Sequence, residues 1–420
     1  MIKSLSEGVS GLNANAKAMG VIGDNIANVK TIAYKSNSIS FANLLSQTIE
    51  ASRAGDGVQV WDISTLWSQG MPENTGNPTD LAINGSSFFM VRDSMADTIY
   101  YTRAGQFTLD KEGYLANPNG LIVQGRVVTD PELGILGNVQ DIQISLENSA
   151  PLATDTIAFT TNLDADAKAG AIYRTSMTVY DSLGSPVVLN FEFTPSLDGT
   201  GSKIPGEWNW NVSVDSSVTD TPVASSGTIV FDGTGKLDPA NTTPPNAFPA
   251  IDITNLKNGA DDMSINWVYL TQSAGGAESD NSITGYASES NTIRQTQNGY
   301  PAGSLQRITI DEEGMVSGIY TNGEITPLYR ITLADFANYQ GLTGEGDNLY
   351  KESVESGAPL VGEAGSGSLG TISSGSLEMS NVDLSSEFVN LITTQRAFQA
   401  NSKVITTSDE ILSELMNLKR

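Results

Sequence analysis

The stretch that decides the fold closes the chain: Leu384 to Arg420 reads LSSEFVNLITTQRAFQANSKVITTSDEILSELMNLKR. Leu384, Phe388, Leu391, Phe398, Ile405, Leu412 and Met416 fall on steps of three, four or seven, the seam of a helix that packs along its whole length. One heptad column, Leu384, Leu391, Phe398, Ile405 and Leu412, is apolar throughout. The alternating column is broken by Gln395, Ser402 and Asp409, while Val404, Ile411 and Leu418 widen the stripe beside it. A stripe this broad calls for more than one partner. Asp383 or Ser385 can cap the start, no Gly or Pro interrupts the run, and Lys419 and Arg420 sit at the negative end of the helix dipole. At 1.5 Å per residue the helix would reach about 50 Å, long for a globular domain.

The other end carries a matching pattern. Leu5, Val9, Leu12, Ala16, Met19 and Ile26 repeat at intervals of 4, 3, 4, 3 and 7, with Ile22 beside the gap left by Gly23. Gly8, Gly11, Gly20 and Gly23 each cost up to about 1 kcal/mol relative to Ala, so this helix is marginal alone. Two terminal helices with matching seams most simply pair as a coiled coil. The alternative is that each caps an ordinary core.

Between them the chain reads as β. Val187, Leu189, Phe191 and Phe193 alternate against Val188, Asn190 and Glu192, and Trp208, Trp210, Val212 and Val214 alternate against Asn209, Asn211 and Ser213. Turn markers at Asp181–Pro186 and Asp232–Gly235 space a sandwich or barrel, and the proline-rich 241–250 stretch is a loop. One repeat organises the middle: Phe107–Leu115 (FTLDKEGYL) recurs as Ile308–Val316 (ITIDEEGMV), each a strand, a D-x-E-G turn with Gly at positive φ, and a returning strand. Such similar hairpins so far apart imply one discontinuous domain built from both flanks. The expected fold is mainly β with a terminal α-helical coiled coil, in a nested, discontinuous multidomain chain. Residues 1–71 and 363–420 form the helical domain with its linkers, 72–146 and 291–362 a discontinuous β domain, and 147–290 an inserted β-sandwich or barrel. Gly-rich segments at Arg53–Gly57 and Gly362–Gly375 mark flexible or irregular joints.

Composition narrows the chemistry. The 420 residues include no cysteine and no histidine, which removes Ser-His and Cys-His nucleophiles, zinc sites built on those ligands and the usual general base near neutral pH. Forty-eight acidic residues against 22 basic ones give a formal net charge of −26, a field that repels nucleic acid and anionic lipid alike. No apolar stretch is long enough for a membrane span and the first residues lack a signal-peptide pattern, so the chain either stays inside or leaves by an unusual route. Asp164, Asp166 and Lys168 resemble half of a calcium loop without its remaining ligands. Asp110/Glu112 and Asp311/Glu312/Glu313 sit on hairpin tips, where acidic residues form turns, and Trp208 and Trp210 share one side of a strand, as core residues do. No catalytic residue, cofactor site or metal site is expected.

Ser10 to Lys35 reads SGLNANAKAMGVIGDNIANVKTIAYK. This resembles the N-terminal signature of the flagellar axial family, the rod, hook and hook-associated proteins, matched at Asn25, Ile26, Ala27, Asn28, Thr31, Tyr34 and Lys35. Ala33 stands where the family usually has Gly, which leaves the local turn geometry open. DLAINGSSFF at Asp80–Phe89, YTRAGQFTLDKEGYLANPNGLIVQG at Tyr101–Gly125, PLYRITLADFANYQG at Pro327–Gly341 and SGSLEMSNVDL at Ser374–Leu384 are similar to the hook branch; rod proteins usually lack so large an insert. The resemblance implies a structural subunit, not an enzyme, stacking into a curved hollow tube that passes torque from the motor and rod to the filament. A distal rod or hook-associated role is the alternative. It also implies export through the flagellar apparatus without a cleaved signal, placement in the extracellular hook, and contacts with rod, hook-cap and hook–filament junction proteins.

Overall fold

The computed structural model describes residues 2–45, 55–130, 135–145, 148–221, 223, 225–238, 241–243, 250–268, 270–272, 278–281 and 283–418. Helices α1 (Ile2–Ala27) and α2 (Leu384–Leu418) lie at the two ends and strands fill the sequence between them. The chain divides into two compact units. The first comprises Met1–Leu146, Arg307–Ile319 and Ile325–Arg420, and the second Glu147–Gln306 with Tyr320–Glu324.

In the first unit α1 and α2 run antiparallel. Gly8 faces Ile405, Gly11 faces Asn401, and the Asn25 amide donates to Glu387 Oε1 at 3.1 Å. Asp383 is the cap of α2: its Oδ1 accepts from Ser385 N at 2.9 Å, and its carbonyl takes the first intrahelical bond from Glu387 N. After α1 the chain forms a hairpin of β1 (Asn37–Leu45) and β2 (Gly55–Thr65), which lies on α1 where Ser10 Oγ accepts from Val58 N at 3.2 Å.

The β part of this unit is stitched from both flanks. Strand Ile325–Asp335 pairs antiparallel with Ile122–Asp130 (Arg330 opposite Arg126) and with Phe88–Asp93 (Leu333 opposite Phe89). Further along, Thr371–Ser374 pairs with Leu81–Asn84 and Ser376–Glu378 with Pro72–Asn74. Phe88, Phe89, Leu81, Ile83, Phe107, Val123, Ile331, Leu333 and Ile372 are buried where these strands meet. Both copies of the repeat adopt the turn read from sequence. Gly113 has φ +84° and Gly314 φ +78°, and Asp110 Oδ1 and Asp311 Oδ1 each accept the N–H four residues on, at 2.7 Å. These carboxylates therefore serve their turns.

The two joints are partly built into strands. Arg53 lies outside the described residues, but Gly55–Gly57 begin β2. Gly362–Gly375 is irregular only in its middle: Leu360–Glu363 pairs with Ile325–Asp335 and Thr371–Ser374 with Leu81–Asn84, and residues 364–370 between them form turns. Glycine is needed there for close approach, since a Cβ on Gly370 would lie 2.3 Å from Asn84 O and one on Gly362 2.5 Å from Leu369 Cδ1.

The second unit is a two-sheet β fold around one core. Tyr173–Tyr180, Pro186–Leu197, Lys203–Val214 and Ser225–Val230 form an antiparallel sheet; Thr156–Asn162 centres the other, parallel to Met263–Val268 and Ile283–Thr284 and antiparallel to Asn291–Gln297. That last pairing carries the unit past residue 290, to Gln306. Phe159, Phe191, Phe193, Trp208, Trp210 and Trp267 fill the core, with edge-to-face contacts such as Phe159–Phe191 at 4.6 Å and Trp210–Trp267 at 5.2 Å. The proline-rich positions 244–249 lie outside the described residues.

Candidate assembly surface and the joint at its base

The helix pair distributes its apolar residues unevenly. On α1, Leu5, Leu12, Met19 and Ile26 are half-buried, Ile22 is buried and Val9 is exposed. The most buried track of α1 is instead Gly8, Gly11, Ala14, Ala18, Ile22 and Asn25. Where α2 crosses near Gly8 and Gly11, then, α1 offers small residues, while Ile22 is the large seam residue that is fully buried. A Cβ on Gly8 would stand 3.0 Å from Ile405 Cγ1, and one on Gly11 2.8 Å from Asn401 Nδ2.

On α2 the column Leu391, Phe398, Ile405 and Leu412 is half-buried, Leu384 and Phe388 are exposed, and the Met416 side chain lies outside the described residues. Beside that column apolar side chains are left uncovered on both flanks, Phe388, Val389 and Ile392 near the start of α2 and Val404 and Ile411 on the other side further along. Phe388 is 50% exposed, Val389 61% and Ile392 49%. Val389 and Ile392 were missed in the heptad reading because they sit on the flank of the seam. Their signal was the apolar pair at i and i+3 next to Phe388.

The residues of the N-terminal signature build the base of the helices. Asn25, buried on α1, donates to Asn37 O at 2.9 Å and accepts from Asn37 N at 2.9 Å and from the Tyr34 hydroxyl at 3.3 Å, while its amide also reaches Glu387 on α2. Asn28 donates to Asp24 O at the end of α1 and accepts from Thr31 Oγ1 at 2.9 Å. Burial, then the nearby Asp24 carboxylate, raises the Tyr34 phenol above its usual range. Ala33 is held in the left-handed region that favours glycine despite its side chain, with φ +57°, fully buried, its N–H donating to Glu378 O at 2.8 Å.

Lys35 enters an ion cluster that sequence reading did not reveal. Its Nζ donates to Glu378 Oε1 at 2.6 Å and to Ser68 O at 2.8 Å; Arg103 Nε donates to Glu378 Oε2 at 2.8 Å and its Nη2 to Gly85 O at 2.5 Å. Gly70 N adds a third donor to the carboxylate, at 2.8 Å. The side chains are 0%, 2% and 1% exposed for Lys35, Arg103 and Glu378. Burial, then the neighbouring Arg103 charge, lowers the Lys35 pKa, with Glu378 pulling it back. Nothing in the sequence marked Arg103 or Glu378 apart from their positions inside the hook-like segments. Asn381 closes the same joint, accepting from Ser36 N at 2.7 Å and donating to Leu66 O and Ser68 O.

The candidate metal loop is occupied by the chain itself. Lys203 Nζ donates to Ala165 O at 2.6 Å and Ala167 O at 3.0 Å, and Asp164 Oδ1 accepts from Asp166 N. Among the described residues no helix is long and apolar enough to cross a membrane.

Segments of the chain match family models for the Flagella basal body rod protein (residues 5–35), the Flagellar hook protein FlgE/F/G D1 domain (82–148), the Flagellar basal body protein FlaE D2 domain (145–300) and the Flagellar basal body rod FlgEFG protein C-terminal region (373–418). Paired terminal helices, flank-built β unit and inserted β unit thus define a flagellar axial protein of the rod and hook type. Relatives narrow this further. The chain is 34% identical over 458 aligned residues to the flagellar hook protein FlgE of Borreliella burgdorferi, covering 100% of both, and 35% identical over 436 residues to that of Escherichia coli, covering 99% of this chain and 100% of the relative. The chain belongs to the flagellar hook protein FlgE family. In fold it is similar to the solved Helicobacter pylori hook protein FlgE2, with TM-score 0.50 and 16% identity over 71% of this chain and 98% of the other.

Proposed function

We propose that many copies of this chain polymerise through their terminal helices into the curved, hollow hook, a flexible joint that passes torque from motor and rod to the filament. One observation carries the reading: the paired helices leave Phe388, Val389, Ile392, Val404 and Ile411 uncovered along α2. Exposed large apolar residues on both flanks of one helix, on a chain of net charge −26, support a helix that meets more than one neighbour. Because these side chains are already about half covered, burying the rest contributes about 1 kcal/mol each.

In this reading residues 1–71 and 363–420 form the wall of the tube, the strands of 72–146 and 307–362 belong to the same compact unit apart from Tyr320–Glu324, and Glu147–Gln306 fold as the second. The seam residues Leu5, Val9, Leu12, Met19, Ile22, Ile26, Leu384, Phe388, Leu391, Phe398, Ile405, Leu412 and Met416 hold the wall together. Polar contacts between acidic outer surfaces exchange at little cost as the tube bends once per revolution. The subunits leave the cell through the flagellar export apparatus and meet rod, hook-cap and junction proteins at the tube's ends.

Electron microscopy of purified protein left to polymerise tests the reading. The parent chain forms tubes, and Leu391→Asp or Phe398→Asp abolishes them while strand content is unchanged; normal tubes from either variant would refute it.

A further inference from the structure

Three chain segments far apart in sequence meet at the Lys35–Arg103–Glu378 cluster. Lys35 belongs to the arm leaving α1, Arg103 follows strand Thr98–Thr102, and Glu378 ends strand Ser376–Glu378 on the C-terminal arm. Two buried cations share one buried carboxylate, and the N-terminal flank supplies both cations. Without Glu378 that flank would have to bury two unmatched positive charges facing each other, which costs several times more than an unmade neutral hydrogen bond. The geometry points to Glu378 as a clasp residue: it makes docking of the N-terminal arm, residues 33–36 and 68–70, conditional on the C-terminal arm being seated. The backbone adds the reciprocal link, because Ala33 N donates to Glu378 O and Ser36 N to Asn381 Oδ1.

The charge count gives the clasp a signature that a packing role lacks. Replacing Lys35 by Met leaves the matched pair Arg103–Glu378, and Ser68 O keeps a donor from Asn381 at 3.1 Å. Replacing Glu378 by Gln leaves two cations and no anion. The depressed Lys35 pKa points the same way: the folded arm sheds the lysine proton before the unfolded chain does, so docking strengthens as pH climbs towards the ordinary lysine range. The other titratable groups facing the cluster are Tyr350, pushed up to about 12 chiefly by burial, and Tyr339, raised chiefly by burial and by its hydrogen bond to Asp335. Both phenols stay protonated below pH 10, so between pH 7 and 9.5 the lysine governs.

The test uses the full-length protein in its free form, so a failure of the parent to form tubes would not bear on it. Hydrogen exchange at residues 33–36, 68–70 and 376–381 is compared at pH 7, and cleavage within residues 28–71 by an alkali-tolerant protease is compared with the parent at pH 7 and 9.5. Glu378→Gln is expected to speed exchange at least tenfold in all three segments. Lys35→Met should change it less than threefold, and Glu378→Gln with Lys35→Met should return to within threefold of the single lysine variant. The excess cleavage of Glu378→Gln should shrink at pH 9.5. Parent-like exchange in Glu378→Gln, a double variant no better than Glu378→Gln, or an excess independent of pH would each overturn the clasp.

Discussion

At Ala33 a methyl group is held in the left-handed region, where an L side chain costs about 1–2 kcal/mol. Glycine would remove that strain but add about 0.5–1 kcal/mol of backbone freedom to the unfolded chain. Ala33→Gly is therefore expected to gain up to about 1 kcal/mol, seen as slower exchange of the residue-33 amide that donates to Glu378 O. Faster exchange in the variant would show that the methyl's packing in its fully buried site outweighs the strain. The signature residues Asn25, Asn28, Thr31, Tyr34 and Lys35 were legible as a motif, and the turn geometry at Ala33 was the open question they posed. Their physical work was not legible. Asn25 matters because Asn37, Tyr34 and Glu387 converge on it, and Lys35 because Arg103 and Glu378 do. Those partners are set by the path of the chain, not by spacing.

Among the elements, α1 shows where periodicity misleads. Its four glycines look equivalent in sequence as helix weakeners, yet they fall into two classes. Gly20 and Gly23 have open space where a Cβ would go, whereas Gly8 and Gly11 lie against α2. Gly20→Ala and Gly23→Ala should each raise helix stability by about 1 kcal/mol, read from the far-ultraviolet circular dichroism melt. Gly8→Leu or Gly11→Leu should instead separate the helices and lower that melt; equal gains at all four positions would contradict the close crossing. The heptad reading favoured large residues because burial is usually bought with area, but two helices also gain contact by approaching closely over small ones. The repeated hairpins were readable down to the sign of φ at Gly113 and Gly314, since a D-x-E-G turn closes through bonds local to itself. The glycines of 362–375 were read as a flexible or irregular joint, and strands bound the turns at 364–370 on both sides. Close approach and flexibility call for the same residue, and only the strands opposite them distinguish the two.

For the whole molecule, the uncovered apolar residues on both flanks of α2 predict a difference between free and assembled chains. Amides of residues 384–412 should exchange readily in the monomer and gain at least tenfold protection in tubes. Strong protection before assembly would mean that α1 alone suffices as partner. Val389→Asp or Ile392→Asp, on the exposed flank and away from the α1 crossing, should block tubes while leaving monomer helicity unchanged. Loss of helicity would instead place those side chains in the chain's own fold.

The sequence by itself determined the helices at both ends, the β character between them, the hairpin repeat and the inserted core of Phe and Trp residues. These follow from periodicity and turn chemistry, which act over a few residues. Only the tertiary structure decided that small residues carry the helix crossing, that Asn291–Gln297 joins the inserted unit, and that Lys35, Arg103 and Glu378 share one buried site. Each depends on which distant segments are brought together, and burial without water gives such meetings energies that no local pattern encodes.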